Sequence, residues 1–274
     1  MNQSPEILLA SDFSARSDRP LDRAILLAEQ LGAGLAIAHV LEKKADPVDD
    51  RQIERLRLDL PEQAQSAELV IEQGSAPKVL SEIARARGSD LIVTGVARYN
   101  SLGDYLLGTA VEHIIRNVPT PVLVVKRRAF RPYERLLVAT DLSDCSRAAL
   151  LRAMRLFPHA EIALLHAFNI PFEGFLKSDE VRQDVRAQAR RELDAFLAHS
   201  EIQSGPRERI VDLLEEGEIG DVIIKAVQER GADLLVMGTR GRSSFFHATI
   251  GSHAEDLMEI VPCDVLVIRE DTAA

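Results

Sequence analysis

The 274-residue chain has no tryptophan, only two cysteines and a shortage of positive charge. Cys145 and Cys263 stand far apart and form no Cys-x-x-Cys pair, so neither a zinc ribbon nor a disulfide framework is implied. They read as ordinary small residues of a reducing compartment. No apolar run approaches the roughly 20 residues that a membrane-spanning helix needs. The opening Met1-Asn-Gln-Ser-Pro-Glu-Ile-Leu-Leu-Ala10 has no basic segment followed by a long apolar one, the mark of a signal peptide. The expected location is therefore cytoplasmic, with no membrane partner. The 33 lysines and arginines face 43 aspartates and glutamates, a formal net charge of −10. A duplex nucleic-acid binder needs a basic face to meet phosphates, so no nucleic-acid partner is expected. A small phosphorylated ligand is not excluded, because a local nest of N–H groups can bind an anion whatever the distant net charge.

Familiar phosphate motifs are missing as well. No GxxxxGK[ST] occurs, so this is no P-loop nucleotidase. Gly32-Ala-Gly34 lacks the third glycine of a dinucleotide fingerprint. It also precedes a strand instead of following one, and reads as a turn between helix and strand.

What the chain does have is an internal repeat. Ile7-Leu-Leu-Ala-Ser-Asp12-Phe-Ser14 is echoed by Leu136-Leu-Val-Ala-Thr-Asp141-Leu-Ser143. Ser89-Asp-Leu-Ile-Val-Thr-Gly95 is echoed by Ala232-Asp-Leu-Leu-Val-Met-Gly238, and Val118-Pro-Thr-Pro-Val-Leu-Val-Val125 by Val261-Pro-Cys-Asp-Val-Leu-Val-Ile268. The last two matches share an offset of 143 and the first has 129, so the second copy carries 14 more residues after its first strand. Two domains follow, 1–128 and 133–274, joined by a basic linker that includes Pro132.

Each copy alternates short apolar strands with helical patterns. Strands are expected near 6–11, 35–41, 68–72, 90–94 and 121–126, then near 134–139, 161–167, 208–214, 233–237 and 264–268. Ala24, Leu27, Ala28 and Leu31 recur at helical spacing, as do Val79, Leu80, Ile83 and Ala84. A long amphipathic helix near 177–199 takes up most of the extra residues. The charged stretch 42–57 reads as a solvated loop leading into a helix. Strands that are apolar throughout and alternate with helices predict an α/β fold. Each copy becomes a Rossmann-like domain, an open five-stranded parallel sheet with helices on both faces. Ligands of such sheets bind at the carboxyl ends of strands where the strand order reverses.

The loop after the fourth strand of the second copy runs from Gly238 to Ser252: Gly, two residues, Gly241, nine residues, then Gly251-Ser252. A helical stretch follows at once. Gly238 ends a buried strand, where a missing side chain lets a ligand approach the backbone. Gly251 and Ser252 open a helix whose first N–H groups have no internal partner and attract an anion. Asp141 ends the first strand, where a carboxylate can accept hydrogen bonds from ribose hydroxyls.

These two Asp-terminated first strands, the G-x2-G-x9-G-[ST] loop and the final Val-Leu-Val-Ile strand resemble the universal stress protein family over nearly the whole chain, twice. The resemblance implies an ATP-binding subfamily marked by this loop. It also implies dimerisation through the last strand, achieved here within one chain as an intramolecular, pseudo-twofold pair; further homodimerisation stays open. The implied nucleotide site is Thr140, Asp141, Ala167, Met237, Gly238, Gly241, Gly251 and Ser252, with Arg240 and His253 at its phosphate end. Magnesium would be held by phosphates and water, since it keeps several waters and no carboxylate cluster is evident.

The first copy departs from this pattern, because Arg98 stands where the second glycine belongs. Arginine adopts glycine's positive dihedral angles only at a cost, and its side chain would enter the phosphate space. A lost or weakened first site is expected; the rival reading has Arg98 gripping phosphate itself. His39 and His166 occupy matching places and read as structural rather than metal-binding residues. No nucleophile–base pair is evident, so no catalytic residue is assigned. The functional expectation is an ATP-binding regulator or sensor of the stress response acting through unidentified protein partners. The alternative is a weak ATPase or other nucleotide-using enzyme.

Overall fold

The computed structural model describes residues 5–41, 48–96, 98–99, 105–106, 108–170, 179–239 and 252–269. The first repeat contains β1 (Glu6–Ala10), α1 (Asp18–Leu31), β2 (Gly34–Leu41), α2 (Asp50–Leu58), β3 (Glu68–Gln73), α3 (Ala76–Arg87) and β4 (Leu91–Gly95). A short pair, β5 (Arg98–Tyr99) and β6 (Tyr105–Leu106), precedes α4 (Thr109–Asn117) and β7 (Val122–Val125). The second repeat contains β8 (Arg135–Ala139), α5 (Asp144–Leu156), β9 (Glu161–Phe168), α6 (Asp179–Leu197), α7 (Ser200–Gln203) and β10 (Ile210–Glu216). It continues through α8 (Ile219–Arg230), β11 (Leu234–Gly238), α9 (Ser252–Ile260) and β12 (Asp264–Ile268).

The chain divides into two compact units. One comprises Met1–Pro132 with Asp264–Arg269, the other Tyr133–Cys263 with Glu270–Ala274. In the first unit the strands lie in the order β3-β2-β1-β4-β7, all parallel. The chain winds outward from β1 in one direction through β2 and β3, and in the other through β4 and β7. The carboxyl ends of β1 and β4 thus flank the switch point. The second unit repeats the plan with β10-β9-β8-β11, again parallel. Helices cover both faces, and the strands are apolar along their length as a doubly covered sheet requires. Leu8, Leu9, Ile37, Val93, Leu137, Val138, Leu164 and Val236 are all fully enclosed.

The fifth strand of the second repeat, β12, belongs to the first unit. It pairs antiparallel with β7, placing Val265 opposite Val124, Leu266 opposite Leu123 and Val267 opposite Val122. Leu266 is thus both the repeat counterpart of Leu123 and its partner across the strands. An apolar edge left open at β7 would be a template for aggregation, and β12 covers it.

Two local features differ from the sequence-based expectation. Residues 50–57, read as part of a solvated loop, lie in α2. That helix starts at Asp49, whose carboxylate accepts from the Gln52 backbone N–H at 2.8 Å while the Gln52 side chain accepts from the Asp49 N–H at 2.9 Å. Such a reciprocal capping box nucleates a helix even where the sequence is strongly charged. The stretch after Gly95 includes the antiparallel pair β5–β6, which places Arg98 opposite Leu106. The sequence offered no sign of this ribbon.

Candidate functional site

Both repeats build the same turn after their first strand. In the second, Thr140 and Asp141 follow β8, and their side chains fold back on the chain. The Thr140 hydroxyl accepts from the Leu142 N–H at 2.9 Å and lies 2.8 Å from the Ser146 hydroxyl. Asp141 Oδ1 accepts from Ser143 twice, from its N–H at 3.2 Å and from its hydroxyl at 2.6 Å. Ser143 in turn caps α5 by accepting from the Ser146 N–H at 3.2 Å. In the first repeat, the Phe13 N–H donates to Ser11 Oγ at 3.0 Å, and Asp12 Oδ1 accepts from the Ser14 N–H at 2.9 Å and the Ser17 hydroxyl at 2.8 Å. Burial alone would raise the Asp12 carboxyl, but the hydrogen bonds from Ser14 and Ser17 outweigh it and hold the group below its ordinary range.

The residue after each aspartate sits in the left-handed region, with φ of 53° at Phe13 and 65° at Leu142. These are the only non-glycine residues with positive φ among the described residues. Such a conformation costs roughly 1–2 kcal/mol and persists only where the surroundings enforce it. Here the turn's hydrogen bonds do so, and the aspartate is fixed at the mouth of the switch point as a result.

The matched histidines belong to this scaffold. His39 Nδ1 lies 2.9 Å from the Ser11 carbonyl, and His166 Nδ1 lies 2.9 Å from the Thr140 carbonyl. A carbonyl only accepts, so each Nδ1 carries the proton. His39 also meets Phe13 edge to face at 5.2 Å. The structural reading of both rings accounts for these contacts.

Gly238 closes β11 beside this turn. A Cβ placed on it would lie 2.7 Å from Cys145 Sγ and 3.3 Å from the Cys145 carbonyl carbon, so α5 packs directly against the glycine backbone. Packing between helix and strand therefore demands glycine here independently of any ligand. At the matching Gly95 the neighbour is the Pro20 ring, 3.3 Å from the added Cβ. The reason lies in the helix starts. α5 begins three residues after Asp141, whereas α1 begins six residues after Asp12, so Arg16 replaces the buried Cys145 at the matching position.

Of the expected site, Thr140, Asp141 and Gly238 converge at the carboxyl ends of β8 and β11. Ala167 lies near the end of β9, in register with Glu215, and Met237 is buried within β11. Arg240, Gly241 and Gly251 lie outside the described residues; Ser252 and His253 open α9. Sequence reasoning passed over Thr239. Its hydroxyl is buried beside Gly238, the residue is 4% exposed, and Oγ1 has no hydrogen-bond partner among the described residues. Burying an unmade hydroxyl costs about 1–3 kcal/mol, so such a group calls for an explanation. The signal was available: Thr239 aligns with apolar Val96, itself buried, at the same point of the first repeat.

The first unit has an open cavity of about 340 Å³ at the equivalent switch point, bordered by Asp12, Arg16, Ser17, His39, Thr94 and Gly95. Its size is that of a small-ligand pocket.

The profile of the universal stress protein family matches the chain twice, over residues 5–126 and 132–269. The chain belongs to the universal stress protein family.

Universal stress protein E of Salmonella typhi is 24% identical over 197 residues, which cover 68% of this chain and 62% of that relative. A universal stress protein from Thermus aquaticus is 27% identical over 139 residues, half of this chain and 99% of its own length. Among solved structures, a protein of unknown function from Pseudomonas aeruginosa superposes with a TM-score of 0.68 at 22% identity, covering 97% of this chain and 92% of that one. A universal stress protein from Archaeoglobus fulgidus gives 0.66 at 19% identity, covering 97% and 99%. The paired repeats are therefore two universal stress protein domains in one chain. Among the described residues no helix is long and apolar enough to cross a membrane, and no cluster of three metal-ligating side chains occurs.

Proposed function

We propose that this universal stress protein binds ATP in its second domain and acts as a nucleotide-responsive regulator through protein partners. The observation that carries this reading is the Thr239 hydroxyl, buried and without a hydrogen-bond partner among the described residues, at the threshold of the G-x2-G-x9-G-Ser loop. A phosphate oxygen is an acceptor that such a donor fits, and a hydrogen bond to a charged group contributes about 1.5–3 kcal/mol. The Asp141 carboxylate, held by Ser143, stands where ribose hydroxyls can donate to it. The N-terminus of α9 would add its first N–H groups, which a helix leaves without intrahelical partners, and the positive end of a helix dipole. Magnesium would travel with the phosphates, held by them and by water.

The first domain offers less to a triphosphate. Val96 replaces Thr239, Arg98 replaces the second glycine, and backbone groups of that loop are used in the β5–β6 pairing. Occupation of the second domain alone is the expected state.

The protein as purified tests this directly. Denaturing it and separating the released small molecules should yield adenine nucleotide, and apoprotein reloaded with MgATP should turn it over at most slowly. Absence of bound nucleotide together with no MgATP uptake by the apoprotein would contradict the proposal. Rapid steady-state hydrolysis would favour the enzymatic alternative.

A further inference from the structure

Among the buried groups of the first unit is a charged cluster outside the candidate nucleotide site. Asp264, the first residue of β12, is 1% exposed. Its Oδ1 accepts from the Lys126 N–H at 2.8 Å and from the Arg127 N–H at 2.9 Å, and its Oδ2 lies 3.7 Å from Arg23 Nε. Arg23 is 5% exposed and also donates to the Arg131 carbonyl at 2.9 Å, and Lys126 is fully buried. One carboxylate from the far end of the chain thus caps the two backbone amides that follow β7, in a place where two basic residues are shut away from water.

The repeat makes this asymmetric. In the Val118-Pro-Thr-Pro121 segment of the first repeat, Pro121 stands where Asp264 stands in the second. Proline supplies no carboxylate. The β7–β12 register is centred on Leu123 and its own counterpart Leu266, so a β7–β7 pairing between two copies would follow the same register with Leu123 facing Leu123. The apolar contacts would then be nearly the same, valine and leucine in both cases. Only the charged cluster would change: the Lys126 and Arg127 amides would lose their acceptor, and Arg23 would lose its carboxylate. Removing one member of a buried, hydrogen-bonded charge cluster is far costlier than exchanging one aliphatic residue for another.

We infer that Asp264 is the partner-choice residue of the β7 edge: it makes β7 accept β12 and refuse the β7 strand of a second copy. Specificity here comes from a group that the wrong partner cannot supply, while the apolar seam is indifferent.

The test places a reporter at the centre of the seam. Leu123→Cys is made in the full chain with Asp264 intact and with Asp264→Ala, and both are treated with a thiol oxidant at several concentrations. With Asp264 in place, the introduced thiol should face Leu266 and no disulfide-linked dimer should form; the native Cys145 and Cys263 are buried. With Asp264→Ala, a dimer linked through the introduced thiols of two copies should form, increase with concentration and be absent from Asp264→Ala that keeps Leu123, since Cys263 directly precedes β12. Amides of Val265 to Val267 should then exchange about 100-fold faster while those of β1 change less. Cross-linking with Asp264 intact would overturn the inference. So would slow β12 exchange in Asp264→Ala, or fast exchange without cross-linking. Should Asp264→Ala not fold, Asp264→Asn keeps an acceptor oxygen and loses only the charge toward Arg23. It should cross-link to an intermediate extent, and behaviour identical to the parent in both readouts would overturn the inference equally.

Discussion

Cys145 Sγ lies where a side chain at Gly238 would begin, 2.7 Å from an ideal Cβ. The strand-final glycine is thus dictated by the helix that packs on it. Gly238→Ala should destabilise the protein by about 1–3 kcal/mol, the usual cost of overpacking. Cys145→Ala in the same chain should restore part of the loss, and only part, because the Cys145 carbonyl carbon remains 3.3 Å away. Chemical denaturation of the two single variants and the double variant measures the coupling. Additive effects would show that the contact is not the cause. Bulky replacements of Gly238 would confound ligand loss with misfolding, so they are poor probes of the site.

The paired histidines should tolerate only replacements that keep a donor at the Nδ1 position. His166→Asn retains an N–H near the Thr140 carbonyl and should be close to neutral. His166→Leu leaves that carbonyl without its partner and should cost about 1 kcal/mol. A melting comparison decides, and equal stability of the two variants would contradict the assignment.

Acid sensitivity should arise in part at Asp212. Burial pushes this carboxyl up, but Arg190 at 2.5 Å and Arg207 at 3.1 Å outweigh it and hold it below its ordinary range. A carboxyl with a depressed folded value stabilises above its unfolded value, near 4, and loses that contribution as pH falls through the folded value. Arg190 is 43% exposed, so solvent screening limits the contribution to about 0.5–1 kcal/mol at neutral pH. Asp212→Asn should therefore be less stable than the parent at pH 7, with the gap closing toward pH 2. A gap that stays constant with pH would count against the ion pairs.

The fold was legible in the sequence because each of its signals is local and repeated. The strands ending at Asp12 and Asp141, and those ending at Gly95 and Gly238, are apolar runs bounded by turn residues, and their spacing exposed the duplication. The capping box that begins α2 was also local, but the surrounding charge concealed it. The placement of β12 in the first unit could not be read from apolar character alone, because Val122–Val125 and Val265–Ile268 are nearly the same strand. The distinguishing mark was Asp264 against Pro121, and its meaning depends on burial. Likewise, Thr239 against Val96 is a plain difference between aligned loops, yet only a missing hydrogen bond gives it weight. Glycine spacing singled out the carboxyl end of β11, where the structure shows a packing reason for Gly238, the closeness of Cys145.

The central claim is that ATP occupies one domain, the second. Calorimetric titration of the full-length apoprotein with MgATP should give one site per chain. Thr239→Val, which copies Val96, should weaken that site about tenfold, equivalent to 1.4 kcal/mol. The apoprotein of this variant should be no less stable than the parent, because an unmade buried hydroxyl is removed. Asp12→Asn in the first domain should leave the titration unchanged. Two equal sites, or a titration that responds to Asp12→Asn and ignores Thr239→Val, would contradict the account.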